Sequence, residues 1–161
     1  MNISVHAIAD YFILKVDREA GDHMTHLKLQ KLIYYAQAWH LAMFDKALFN
    51  NKIEAWLHGP VCREIYERFR HRSWNPILAT SIISASSAIN DETRTFLDEV
   101  WEVYGQYSAT KLEKMTHEEA PWLEARNGIQ PDKPSQTLID EKSMHDYYVM
   151  RMQARKRIRL N

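Results

Sequence analysis

Cysteine, glycine and net charge are all scarce in this chain. A single cysteine, Cys62, stands among 161 residues, which excludes an internal disulfide and fits a reducing compartment. Only Gly21, Gly59, Gly105 and Gly128 are glycines. So few, beside many Ala, Leu, Lys, Glu and Gln, argue for helices over a strand-and-turn architecture. Lys and Arg balance Asp and Glu at 21 each, so nothing in the overall charge demands a polyanionic partner. No apolar run approaches the ~18–20 residues of a membrane span. The opening Met1-Asn2-Ile3-Ser4-Val5 has neither the basic end nor the apolar stretch of a signal peptide, so a cytoplasmic protein is expected. There is no internal repeat, no low-complexity segment and no glycine-rich phosphate loop.

What is present is helical patterning with clear punctuation. Ser4 is placed to cap a first helix to about Glu19, with Val5, Ile8, Phe12, Ile13 and Val16 on one face and Gly21 as its terminator. Thr25 is placed to cap a second helix to about Met43. Its apolar stripe is Leu29, Leu32, Ile33, Ala36, Trp39 or His40, and Met43. Twenty such residues would be about 30 Å long, enough to cross the domain. Residues 53–56 suit either a strand or a helix. Pro60, read as a first helical residue, opens a third helix from Val61 to about Arg70. The Ser- and Ile-rich stretch 77–90 suggests a short strand or a loop. Asn90 or Asp91 caps a fourth helix carrying Phe96, Leu97, Val100, Trp101, Tyr104 and Tyr107. Ser108 caps a fifth, Pro121-Trp122 starts another turn, and a last helix covers about 140–157. The expected fold is therefore mainly α, a compact single-domain helical bundle around a central amphipathic helix, with at most short strands.

Chemistry-bearing residues are scattered. His23 and His26 are three apart, but no second pair stands at ligand spacing, so no metal site is expected. Cys62 could be imagined as a nucleophile beside His58 or His117; without a local motif, a small buried cysteine is the better reading. The pairs Glu118-Glu119 and Asp140-Glu141 suit solvated surface, because adjacent helical residues do not face each other. Arg151, Arg155, Lys156, Arg157 and Arg159 form a basic tail, read as a solvated helix end favoured by the dipole. Five tryptophans (Trp39, Trp56, Trp74, Trp101 and Trp122) divide between core and interface duty. On the second helix, Lys28, Lys31, Gln37 and one of Tyr34 and Tyr35 are expected on a polar rim opposite the apolar stripe. That rim is a candidate contact surface.

Residue order adds a resemblance. Lys28-Leu29-Gln30-Lys31-Leu32-Ile33-Tyr34-Tyr35-Ala36-Gln37, then Trp39, Leu48-Phe49, Glu54-Ala55-Trp56, Gly59-Pro60-Val61 and Tyr66 resemble the SocA-like antitoxin family. This is also called the Panacea domain and includes phage-associated proteins of the GepA type. Pro76-Ile77, Thr116-His117 and Pro121-Trp122 fit it too, so the resemblance spans roughly 4–148. It implies a bacterial or prophage antitoxin that neutralises its toxin by direct protein contact. It implies a cognate toxin as partner, such as an alarmone-synthetase-type translation blocker, and no enzymatic activity or cofactor. The rival is a proteolytic adaptor that delivers a toxin or host protein to a Clp protease, or a phage accessory protein that binds a host factor. Nucleic acid and membrane are not expected partners. The expected antitoxin domain is 1–150, followed by the tail 151–161. Partner contact is expected from Lys28, Gln30, Lys31, Tyr34, Tyr35, Gln37 and His40. Structural duty is expected from Leu29, Leu32, Ile33, Ala36, Trp39, Trp56, Gly59, Pro60, Thr116, His117, Pro121 and Trp122.

Overall fold

The structure is a computed structural model that describes residues 3–83 and 89–160, with side chains through Ala154. Its first element, α1 (Val5–Lys15), starts where Ser4 accepts a hydrogen bond from the His6 N–H at 3.2 Å. It ends four residues earlier than expected, because Val16 turns extended and Arg18 donates to the Ile13 carbonyl at 2.9 Å. The expected face is nonetheless the buried one: Val5, Ile8, Phe12, Ile13 and Val16 all lie in the core.

Next comes α2 (His26–Phe44), capped by the Thr25 hydroxyl on the Lys28 N–H at 3.2 Å. Its C-cap is Asp45 at φ 53, and the Asp45 N–H bonds back to the Leu41 carbonyl. Fourteen of its nineteen residues are buried, so it is enclosed on nearly all sides rather than half-wet. Met43 is a correction: expected on the apolar stripe, it is 43% exposed at the far end.

Strands β1 (Ile53–Trp56) and β2 (Gly59–Cys62) form an antiparallel hairpin in which Ala55 pairs with Pro60. This overturns the reading of Pro60 as a helix start. Gly59 adopts φ +109, closing a two-residue turn at 57–58, and the helix α3 (Arg63–Phe69) begins only after Cys62. On the other side of β1, the Ala55 N–H reaches the Thr137 carbonyl and the Ile139 N–H reaches the Ile53 carbonyl, each at 2.7 Å. A segment some eighty residues away thus completes the sheet edge.

Two 3₁₀ turns, Arg70–Arg72 and Ala79–Ser81, follow α3. The alternatives for 77–90 resolve to such a turn over the described part; residues 84–88 lie outside the described residues. Asn90 and Ser108 then cap α4 (Asp91–Tyr104) and α5 (Ala109–His117), as their positions predict. Pro121 is buried in the first turn of α6 (Ala120–Ala125). Last is α7 (Glu141–Leu160), which continues through the expected tail as helix; the side chains of Arg155, Lys156, Arg157 and Arg159 lie outside the described residues. The elements α1, α3, α4, α5, α7 and the hairpin all pack against α2. The fold is mainly α, with one two-stranded sheet among the described residues. No described helix is long and apolar enough to cross a membrane.

Candidate functional site

The polar residues of α2 point inward, which corrects the expectation of an exposed rim. Gln30, Lys31, Tyr34, Tyr35 and Gln37 are each at most 3% exposed. Tyr34, Tyr35 and Gln37 lie out of a partner's reach, while Gln30 and Lys31 border a cleft. Burying polar groups costs free energy unless each finds a partner, and here non-helical backbone and the Glu119 carboxylate supply the partners. Gln30 accepts from the Cys62 N–H at 2.8 Å and donates to the Cys62 carbonyl at 3.2 Å. One turn pair later, Gln37 repeats the arrangement: it accepts from the Leu48 N–H at 2.7 Å and donates to the Phe49 carbonyl at 2.9 Å. Each amide pairs with main chain as a neighbouring strand would, and so fixes a non-helical segment to the helix.

Lys31 donates to the Pro60 carbonyl at 3.0 Å. A Cβ on Gly59 would stand 2.5 Å from the Lys31 Cε and 2.9 Å from the Thr116 Oγ1, so only glycine leaves room for this stem. Burial holds the Lys31 amine down to about 7, against an opposing pull from Glu113.

Tyr34 and Tyr35 donate to opposite oxygens of Glu119, at 3.1 and 2.9 Å, and the Tyr148 hydroxyl also donates to it. Burial pushes the Glu119 carboxyl up while the three phenols pull it back, and burial raises all three phenols. The solvated reading of Glu118-Glu119 therefore fails for Glu119, which is 3% exposed. Tyr35 also stacks on Tyr104 at 3.9 Å, whose hydroxyl accepts from the Trp39 indole at 2.7 Å. Of the seven expected contact residues, only Lys28 and His40 are half-buried. Lys28 donates to the Gly105 carbonyl at the end of α4, at 2.6 Å. His40 meets the Lys46 carbonyl at 2.5 Å.

The second group of motif residues packs on the first. Thr116 is fully buried beside Gly59. His117 stacks on Trp122 at 4.2 Å, and the Trp122 indole donates to the Trp56 carbonyl at 2.9 Å. Leu29 and Leu32 are fully buried and Trp39 is 8% exposed. Arg126 was not singled out from the sequence. It donates to the Ala55 carbonyl at 3.1 Å and lies over Trp122 at 4.7 Å. Cys62 is buried, and burial raises its thiol, the reverse of an activated thiolate.

Where α2 begins, this packed network opens into a cleft of about 300 Å³. Leu27, Trp56, Val61, Tyr66 and Trp74 supply apolar lining. Tyr66 sits between two rings, stacked on His26 at 5.6 Å and edge-on to Trp56 at 4.6 Å. Trp74 is 75% exposed, the largest exposure among the described large apolar residues. Before it, Ser73 takes φ 50, a left-handed conformation unusual outside glycine. Burial lowers the His26 imidazole to about 4, so this wall carries a neutral ring at pH 7.

The sequence profile described as antitoxin SocA-like, Panacea domain, matches residues 29–123. The chain belongs to this family. The Panacea match is narrower than the expected 4–148. It takes in nearly all of α2, the hairpin, α3, α4, α5 and the start of α6, and leaves α1 and α7 as flanks. Both groups of motif residues fall inside it except Lys28, as does the whole aromatic cleft except Thr25, His26 and Leu27. Membership supports an antitoxin-type role. No curated protein and no solved structure matches the chain.

Proposed function

We propose that this Panacea-domain protein neutralises a cognate toxin protein by stoichiometric binding, without catalysis. The observation that carries this reading is the family match across 29–123. The structure lends support through its division of labour. The polar motif residues on α2 are spent on holding backbone and the Glu119 carboxylate, and an exposed aromatic cleft stands beside them. Tryptophan and tyrosine at the mouth of a cleft are the residues that most often anchor protein partners.

Co-expression with the product of the adjacent gene is the test. The expected result is growth arrest by that product alone and rescue by this chain, at an unchanged toxin level. Rescue accompanied by protease-dependent loss of the toxin would replace stoichiometric binding with proteolytic delivery. Absence of any toxic neighbour that the chain rescues would overturn the antitoxin reading for this protein.

A further inference from the structure

The cleft's chemistry is one-sided. Its lining includes the cation Arg70, with His71 and Arg72 beside it on the same turn, and no Asp or Glu. At its mouth, Arg70 holds the exposed carboxylate of Glu67 at 3.4 Å, and His58 meets the half-buried carboxylate of Glu113 at 2.9 Å. An exposed pair such as Arg70–Glu67 contributes little, so it opposes an incoming carboxylate only weakly. The two most prominent aromatics are also unspent donors. Among the described residues, neither the Tyr66 hydroxyl nor the Trp74 indole N–H has a hydrogen-bond partner. A volume near 300 Å³ accommodates one or two side chains rather than a folded surface. Apolar walls, donors at the tips and the Arg70 cation at the mouth therefore fit an acceptor-rich segment with one large apolar side chain.

Single-stranded nucleic acid also presents acceptors and flat faces, but it needs a run of cations along the backbone path. Around the cleft the basic residues Arg70, His71 and Arg72 sit together on one turn rather than along such a path. Five of the 21 Lys and Arg fall in 151–161, which leaves 16 against 21 acids over the rest of the chain. A protein segment is the better match.

We infer that the cleft between the start of α2, the β-hairpin and the turn at Ser73-Trp74 receives a linear acidic segment of the partner protein. In this arrangement an aromatic or long aliphatic side chain sits between Trp74 and the Tyr66–Trp56 wall. Flanking carboxylates or carbonyls accept from the Trp74 indole, the Tyr66 hydroxyl and Arg70. This rests on the proposed toxin-binding role and adds the chemistry of what is bound.

The test uses the full chain and fluorescein-labelled ten-residue peptides read by anisotropy. One carries a central Trp flanked by Glu, one a Trp flanked by Lys, and one a Ser flanked by Glu; oligothymidylate is the fourth probe. The Glu-flanked Trp peptide is expected to bind best. Trp74→Ala should weaken it about tenfold or more. Tyr66→Phe, which keeps the ring and removes only the hydroxyl, should weaken it several-fold. Equal binding of the Lys-flanked or Ser-centred peptide would overturn the inference, as would tighter binding of oligothymidylate or a Trp74→Ala variant that binds like the parent. Co-expression separates the two claims. Rescue retained in full by Trp74→Ala overturns the cleft inference and leaves neutralisation standing. Peptide binding with no rescue by the parent chain overturns neutralisation and leaves the cleft standing.

Discussion

Replacing Lys31 with methionine changes the pH dependence of stability in a calculable way. Lys31 is fully buried on α2 and donates to the Pro60 carbonyl. Burial lowers its amine from 10.5 to about 7 in the folded protein. Between those values the unfolded chain binds a proton that the folded chain does not. Stability therefore rises with pH across that window, by up to about 1.4 kcal/mol per pH unit. Above about pH 9 the buried Cys62 thiol and the Glu119-bound tyrosines act in the opposite sense, because burial raises them. Between pH 7.5 and 9 the Lys31 contribution amounts to about 2 kcal/mol. Methionine keeps most of the stem volume and cannot titrate, so Lys31→Met should lose this rise. Its absolute stability also shifts, because the Pro60 carbonyl loses its donor at about 1–3 kcal/mol. The slope is therefore the informative quantity. Urea unfolding at several pH values, followed by tryptophan fluorescence, measures it. Parallel pH profiles for the parent and Lys31→Met would refute the claim that a buried, proton-shedding lysine holds the hairpin.

Three further outcomes are expected. Gly59→Ala places a Cβ 2.5 Å from the Lys31 stem at φ +109, and should cost about 2–4 kcal/mol, seen as a clear fall in Tm. Gln30→Ala leaves the Cys62 N–H without its acceptor inside the protein and removes one donor from the Cys62 carbonyl; a loss of about 1–3 kcal/mol is expected in chemical denaturation, with a normal circular-dichroism spectrum at low denaturant. Trp74→Ala removes a side chain that is 75% exposed and should leave Tm nearly unchanged, within about 0.5 kcal/mol, so a large fall would contradict the placement of that ring.

Local signals in the sequence carried through to the structure. Ser4, Thr25, Asn90 and Ser108 cap helices because a short oxygen-bearing side chain before an apolar stripe needs only its own first turn. The residue order from Lys28 to Trp39 pointed to the family that the chain belongs to. What could not be read locally was decided by segments far apart in the chain. Gly59-Pro60 satisfies both a tight hairpin and a helix start; the choice falls to the strand because β1 is held on its far side by residues 137–139. The polar stripe of α2 reads as an exposed contact rim for a similar reason. Gln30, Gln37, Tyr34 and Tyr35 face Cys62, Phe49 and Glu119, groups 12 to 85 residues away, and nothing in the helix itself marks them as inward. The exposed Trp74 was counted among the tryptophans, but its role at a cleft mouth depends on the turn at Ser73.

Calorimetric titration of the purified chain into the product of the adjacent toxic gene, with toxin activity assayed at each point, tests whether neutralisation is binding. A saturable complex is expected, with an occupancy that follows the loss of toxin activity. Loss of activity with no complex formed, or a saturated complex with toxin activity intact, would contradict it.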